Sequence, residues 1–296
     1  MNYKKKLSII GIIVFFTVLV ANTYATTKSF IWEIKAKNKK SSYLVGSIHM
    51  LDKSVYPLND VFENAFKGAD CLVVEANVAD EKKMELGLLA MKLGIYKDKK
   101  TLKSSISPET YKLTNEKMKS LGLDITSLNK FKPWMVAMTI ASTEMMQMGF
   151  NPNLGIDKHF LNMAKTKEIL ELEGIKFQIN LFNNFSNEEQ ELFLFYTVTD
   201  ESNTELEFKK IVKAWLAGDD KELNELVESN IKKYPKLKGM YYKLVDERNV
   251  NMAKTIDDFI KTTPKTYFVV VGAAHLVGEN GLINLLKQKG YTLKQL

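Results

Sequence analysis

The chain has 296 residues, 45% of them apolar and 26% charged, an ordinary globular balance with length enough for a sizeable core. Those proportions exclude disordered, collagen-like and coiled-coil chains. Forty-two Lys and Arg against 35 Asp and Glu give a formal net charge of +7, which becomes +4 once Lys4, Lys5 and Lys6 are set aside, because residues 1 to 25 hold no acid.

Those three lysines open a secretory pattern: a basic start, an apolar run from Leu7 to Val20, and Thr23-Tyr24-Ala25 with small residues placed for a cut after Ala25. Residues 1–25 therefore read as a signal peptide and 26–296 as one mature domain, periplasmic or secreted. The apolar run is shorter than the ~20 residues a membrane span needs, so anchoring to the inner membrane is the alternative only if the segment is retained. A single cysteine, Cys71, leaves the exported chain without an internal disulfide.

Phe30 to Lys37 and Tyr43 to Leu51 read as a hairpin turned at Asn38-Lys39-Lys40. A short helix from Asn59 to Gly68 follows, then Asp70 to Glu75, a continuous apolar run typical of a strand covered on both faces. From Asp80 to Lys165 the pattern is helical. Ser107-Pro108-Glu109 caps one helix, whose Tyr111, Thr114, Met118 and Leu121 share a face and which Gly122 ends. Lys132-Pro133-Trp134 opens another, whose apolar residues, Met138, Met145, Met146 and Met148 among them, go almost all the way round; the expectation is a buried core helix, with a Met-lined ligand wall as the alternative. Glu168 to Glu173 returns to strand. Ser186 with Glu189 forms a capping box and Gly218-Asp219-Asp220 breaks and recaps the helices that run on to about Lys261. Thr266 to Val271, a helix from Leu282 to Lys289 and a strand from Tyr291 to Leu296 close the chain. The expected fold is α/β: a single domain whose central mixed sheet takes strands from both termini, with large helical insertions.

Two of the three histidines share one setting, an apolar strand followed by Gly-x-x-His: Tyr43-Leu44-Val45-Gly46-Ser47-Ile48-His49 and Val269-Val270-Val271-Gly272-Ala273-Ala274-His275. With 15 glycines in the chain this arises by chance about 1% of the time. Carboxyl ends of strands in an α/β sheet are where ligand crevices form. His49 and His275 can then converge, with Glu75 joining them if its strand runs parallel to its neighbour, as a two-imidazole, one-carboxylate shell for a divalent metal. The plainer alternative is that each histidine caps a strand end. Of 42 cations only Arg248 is an arginine, which points to a planar bidentate donor for an oxyanion or substrate carboxylate, or else to a salt bridge with a buried acid. His159 reads as structural, at a helix start that Asp157 could cap, and Cys71 as a core thiol. The lysines at 97, 99, 100 and 103 read as a solvated loop, and one arginine is a poor toolkit for nucleic acid, so none is expected as a partner.

In order along the chain stand Gly46-Ser47-Ile48-His49, Glu75, Lys132-Pro133-Trp134, Gly155-Ile156-Asp157, Leu172-Glu173 with Gln178, Glu247-Arg248-Asn249, and Gly272-Ala273-Ala274-His275-Leu276-Val277-Gly278. Over residues 30 to 296 this series resembles the TraB/PrgY/GumN family, which includes the Tiki metalloproteases. It departs at Gly174, where the family often has Thr. The resemblance implies a fold like the erythromycin-esterase and ChaN group and a metal-dependent hydrolase site on the two Gly-x-x-His histidines and the strand-end glutamate, with Mn²⁺ or Co²⁺ favoured and Zn²⁺ as the alternative. The expected function is an exported hydrolase of a peptide or protein substrate: His49, Glu75 and His275 as metal ligands, Arg248 on the oxyanion or carboxylate, and Asp157 or Glu173 as general base. The alternative is a protein that sequesters a peptide or haem-like ligand in the same crevice without turnover.

Overall fold

The structure, a computed structural model, describes residues 28–79, 83–199 and 204–296. Strands β1 (Ile31–Lys35) and β2 (Ser42–Ser47) form the expected hairpin, Ile31 opposite Val45 and Ile34 opposite Ser42, with Asn38 turning the chain at φ 59°. Strands β3 (Cys71–Val74), β4 (Glu168–Glu171), β5 (Tyr267–Gly272) and β6 (Thr292–Gln295) complete one six-stranded sheet in the order β4-β3-β5-β2-β1-β6. The four strands β4, β3, β5 and β2 are parallel to one another, while β1 is antiparallel to both β2 and β6. A C-terminal strand, β5, thus lies between the two N-terminal strands β2 and β3.

Helices fill the connections. Before β4 come α1 (Asp60–Gly68), α2 (Lys83–Gly94), α3 (Leu102–Ser105), α4 (Pro108–Ser120), α5 (Pro133–Gln147) and α6 (Ile156–Met163). Between β4 and β5 come α7 (Ile175–Asn183), α8 (Asn187–Thr199), α9 (Thr204–Leu216), α10 (Asp220–Lys233), α11 (Lys238–Tyr241) and α12 (Glu247–Thr262), and α13 (Leu282–Gln288) precedes β6. Strand geometry sends successive side chains to opposite faces. Phe268 of β5 packs against Phe66 of α1 and Phe160 of α6 at ring separations of 5.3 and 4.6 Å, whereas Tyr267 stacks on Phe259 of α12 at 5.5 Å. Helices therefore cover both faces, which explains why β3 and β5 are buried at every position. A second apolar cluster, with Met118, Val136, Ile140 and Leu194 at its centre, holds α3, α4, α5 and α8 together away from the sheet.

The turn chemistry read from the sequence is present. Ser107 accepts from Thr110 N at the start of α4, Ser186 and Glu189 make their reciprocal pair at 3.2 and 2.9 Å, and Asp219 caps α10. Several expectations change, and β2 ends at Ser47 where a strand to Leu51 was expected. Helix α5 buries one side only: Pro133, Trp134, Val136, Ala137 and Ile140 face inward, while Met138 and Met146 are 42% and 50% exposed, because α8 packs along just one side of it. Asp157 does not cap α6. The helix starts at Gly155 with no side-chain cap, and the Asp157 carboxylate turns to the sheet edge instead. Strand β4 ends at Glu171, two residues short of Glu173. The chain then turns at Gly174, whose φ of +85° is a conformation that a β-branched residue such as Thr adopts only under strain. The secretory pattern in residues 1–25 lies outside the described residues, and among those described no helix is long and apolar enough to cross a membrane.

Candidate active site

Because β2, β3, β4 and β5 run parallel, the residues just beyond their carboxyl ends share one edge of the sheet: His49 after β2, Glu75 after β3, Glu173 after β4 and His275 after β5. The two Gly-x-x-His segments are thereby brought together, and the strand of Glu75 has the required direction. A side chain at Gly272 would meet Glu75 Oε1 at 3.4 Å, His275 Cδ2 at 3.5 Å and His49 Nε2 at 3.5 Å. Two atoms each 3.5 Å from one point are no more than 7.0 Å apart, so the rings of His49 and His275 come within that distance of each other at Gly272, with the Glu75 carboxylate beside them.

Glu75, 8% exposed, is held from all sides. Its Oε1 accepts from Gly272 N at 2.6 Å, and its Oε2 accepts from Arg248 Nη2 at 2.6 Å and Gln178 Nε2 at 2.9 Å. Burial alone would raise its pKa, but the charges of the neighbouring His275, His49 and Arg248 and the Gly272 N–H outweigh it and hold the carboxyl below its ordinary range. Arg248 also forks onto Glu173, Nε to Oε1 at 2.8 Å and Nη2 to Oε2 at 2.8 Å, and its Nη1 donates to the Leu244 carbonyl at 2.8 Å. The chain's one guanidinium is thus laid between two buried carboxylates, a geometry that a lysine ammonium cannot reproduce.

His49 Nδ1 lies 2.9 Å from Asp157 Oδ1, which also accepts from Ser47 Oγ at 2.7 Å, and Ser47 Oγ accepts from Asp157 N at 3.2 Å. Desolvation in the crevice opposes protonation of His49, but the charge and hydrogen bond of Asp157, with Glu75 behind, raise its pKa to about 9. Since 61% of the side chain is open to water, screening trims that shift without reversing it. Asp157 moves the opposite way: burial would raise it, and His49 and Ser47 bring it below the usual value. His275, 5% exposed, contrasts with His49. Burial, reinforced by Arg248 and opposed by Glu75, lowers its pKa to about 4. Its Nδ1 is 2.6 Å from Asn249 Oδ1 and its Nε2 is 3.8 Å from Glu75 Oε1.

Helix α6 delivers Asp157 through a close approach. A Cβ on Gly155 would stand 2.3 Å from the His49 carbonyl oxygen, so glycine there is what lets the helix start dock on the end of β2, fixed by Ile156 N donating to Ile48 O at 3.1 Å. Above the constellation opens a cleft of about 550 Å³, lined by His49, Glu75, Asp157 and Gln178 and by the apolar Val78 and Leu86.

In donor chemistry His49, Glu75 and His275 match a divalent cation. Two atoms each about 2.1 Å from a shared ion lie at most about 4.2 Å apart, so the 3.8 Å gap between His275 Nε2 and Glu75 Oε1 admits one. Among the described residues, no group of three or more His, Cys, Asp or Glu side chains stands ready to hold an ion in this conformation. The fit is therefore one of donor type and convergence, short of closed coordination.

The sequence profile of the TraB/PrgY/gumN family matches residues 30–295. The chain belongs to this family. It is 26% identical over 257 residues to the uncharacterized protein YbaP of Shigella flexneri and 25% identical to YbaP of Escherichia coli K12, in each case over 86% of this chain and 91% of the relative. It is also 35% identical over 81 residues to a metalloprotease TIKI homolog of Amphimedon queenslandica, a stretch covering 27% of this chain and 13% of that protein. No solved structure matches.

All six residues singled out from the sequence lie in this one constellation, but not all line the cleft: His49, Glu75 and Asp157 do, while His275 is buried beside Glu75 and Glu173 and Arg248 stand behind it. Ser47 and Asn249 were not assigned roles from sequence, although each sits inside one of the ordered motifs and each is fixed to a site residue. Of the residues read as structural, His159 packs its ring against Tyr56 and Phe160 at 5.4 and 5.0 Å, and Cys71 is buried, burial pushing its thiol up to about 11.

Proposed function

We propose that the chain is a metal-dependent hydrolase of peptide or amide bonds, with His49, Glu75 and His275 as the ligands of a divalent cation, Mn²⁺ or Co²⁺ before Zn²⁺. The observation that carries the reading is the convergence of two imidazoles and an ionised carboxylate around Gly272, with His49 and Glu75 lining an open cleft and His275 buried behind them. The local likeness over 81 residues to a protein named a metalloprotease TIKI homolog supports the reaction class. A cation held by these three residues would lower the pKa of a water and polarise a scissile carbonyl.

The protein's own groups divide the remaining work. Asp157 orients His49 and, lying on the cleft wall beside it, is the better placed of the two general bases the sequence left open, since both Glu173 oxygens are taken up by Arg248. Arg248 keeps Glu75 ionised and fixed. Four of its five N–H donors are taken up by Glu75, Glu173 and Leu244, which leaves at most one, on Nη1, for an oxyanion or a substrate carboxylate. Val78, Leu86 and the other apolar walls would hold a peptide against the polar floor. The reading also has the mature chain exported and free of the segment before Thr26.

The test is cleavage of a peptide library by purified protein supplied with Mn²⁺ or Co²⁺, followed by mass spectrometry, beside His49→Ala and Asp157→Asn. Cleavage by the wild type that both variants lose supports the assignment. Peptides recovered intact after long incubation, or cleavage undiminished in His49→Ala, would overturn it, and intact but protein-bound peptide would favour sequestration.

A further inference from the structure

Asn249 is 1% exposed and makes two hydrogen bonds with opposite demands. Its amide nitrogen donates to the Asn280 carbonyl at 2.8 Å, and a carbonyl can only accept. The amide is therefore oriented by the backbone, and the atom it turns to His275 Nδ1, 2.6 Å away, is the oxygen. An amide oxygen can only accept as well, so a proton of the His275 ring must sit on Nδ1. Any lone pair the ring carries is then on Nε2, which faces Glu75 Oε1 at 3.8 Å.

We infer that Asn249 is a positioning residue that fixes the tautomer of His275, turning Nε2 into a lone-pair donor aimed at the space it shares with Glu75. Its place on α12 makes it effective. Neighbouring residues on a helix point about 100° apart, so Arg248 reaches Glu75 while Asn249 reaches His275, and one turn presets two of the three converging groups. Asp157 does the corresponding task for His49 from α6. An amide suits the His275 side, because an aspartate would add a third carboxylate to a buried group that already has two, Glu75 and Glu173, beside a single guanidinium.

The tautomer part of the inference stands on geometry alone; its consequence for affinity rests on the metal-centre reading above. The test is long-range ¹H–¹⁵N correlation on untagged, metal-free protein labelled with ¹⁵N-histidine. The chain has three histidines, and subtraction with His275→Gln assigns the signal. The expected result is a His275 with its proton on Nδ1 in the wild type and a mixed or Nε2-protonated ring in Asn249→Leu. Titration with Mn²⁺ followed by calorimetry is expected to show about 10–100-fold weaker binding in Asn249→Leu. A wild-type proton on Nε2 overturns the inference whatever the variants do, as does an Asn249→Leu protein with unchanged tautomer and Mn²⁺ affinity. If His275 is protonated on Nδ1 but no protein binds Mn²⁺, the metal reading fails and the positioning role stands.

Discussion

Replacing Arg248 by Met tests the charge arrangement behind the site most severely. The side chains of Arg248, Glu75 and Glu173 are 11%, 9% and 4% exposed, and the guanidinium makes three bonds of 2.6 to 2.8 Å to the two carboxylates and one to the Leu244 carbonyl. Removing it leaves two buried carboxylates without their cation, and breaking a buried pair from one side typically costs about 3–5 kcal/mol. Urea unfolding of metal-free wild type and Arg248→Met at pH 7 should show a loss of that size. Arg248→Lys keeps the charge but not the fork, and should lose about 1–3 kcal/mol. Combining Arg248→Met with Glu173→Leu should recover part of the deficit, because an apolar replacement of the whole pair is far better tolerated than half of it. The pH dependence has a fixed sign. Glu75 is held below its ordinary range in the wild type, so its contribution is present above about pH 4.5 and fades as pH falls through the lower folded value; the gap between wild type and Arg248→Met is widest at neutral pH and narrows in acid. A loss under about 1 kcal/mol at pH 7, or a gap that widens in acid, would refute the reasoning.

Three other outcomes follow from the same contacts. Gly155→Ala places a Cβ 2.3 Å from the His49 oxygen, so α6 must retreat; we expect about 1–3 kcal/mol of destabilisation by chemical unfolding together with weaker Mn²⁺ binding as Asp157 leaves His49, and wild-type values for both would contradict the docking described. Asp257, 7% exposed, accepts from Tyr291 OH at 2.6 Å and pairs with Lys261 at 2.9 Å; although burial opposes it, these partners lower its pKa, so its stabilisation is present above about pH 4 and lost below. The stability difference between wild type and Asp257→Asn should therefore shrink between pH 5 and pH 3 (roughly the carboxylate range), and a difference constant over that range would count against it. Finally, intact-mass spectrometry of the protein expressed with its own N-terminus should find a chain starting at Thr26, and a retained Met1 would rule out cleavage and leave the anchored alternative.

Much of the site could be read from the sequence because its two histidines recur in a local pattern: strand, glycine, two residues, histidine. Both strands have an apolar centre because helices cover both faces of the sheet, so their existence could be read from composition, although β2 ends at Ser47, short of the expected Leu51. The order of the strands could not. Nothing in residues 267–272 says that they lie between β2 and β3, and it is that insertion that puts Gly272 N on Glu75, 197 residues away in sequence. For the same reason the partner of Arg248 stayed open between a ligand and a buried acid; the answer depended on Glu173 and Glu75, 75 and 173 residues distant. Asp157 was taken for a helix cap because Gly-Ile-Asp at a helix start has that local form, and only the approach of α6 to β2 shows that the carboxylate serves His49. The Met residues of α5 misled in the other direction, since periodicity records which residues are apolar and not how many neighbours a helix has.

The central claim, that His49, Glu75 and His275 form one cation site, is tested most directly by measuring bound metal. Wild type and the His49→Ala, Glu75→Ala and His275→Ala variants, loaded with Mn²⁺, dialysed and subjected to elemental analysis with folding checked in parallel, should give close to one ion per wild-type chain and a large loss in each variant. A wild type without bound metal, or folded variants that all keep the wild-type content, would contradict it.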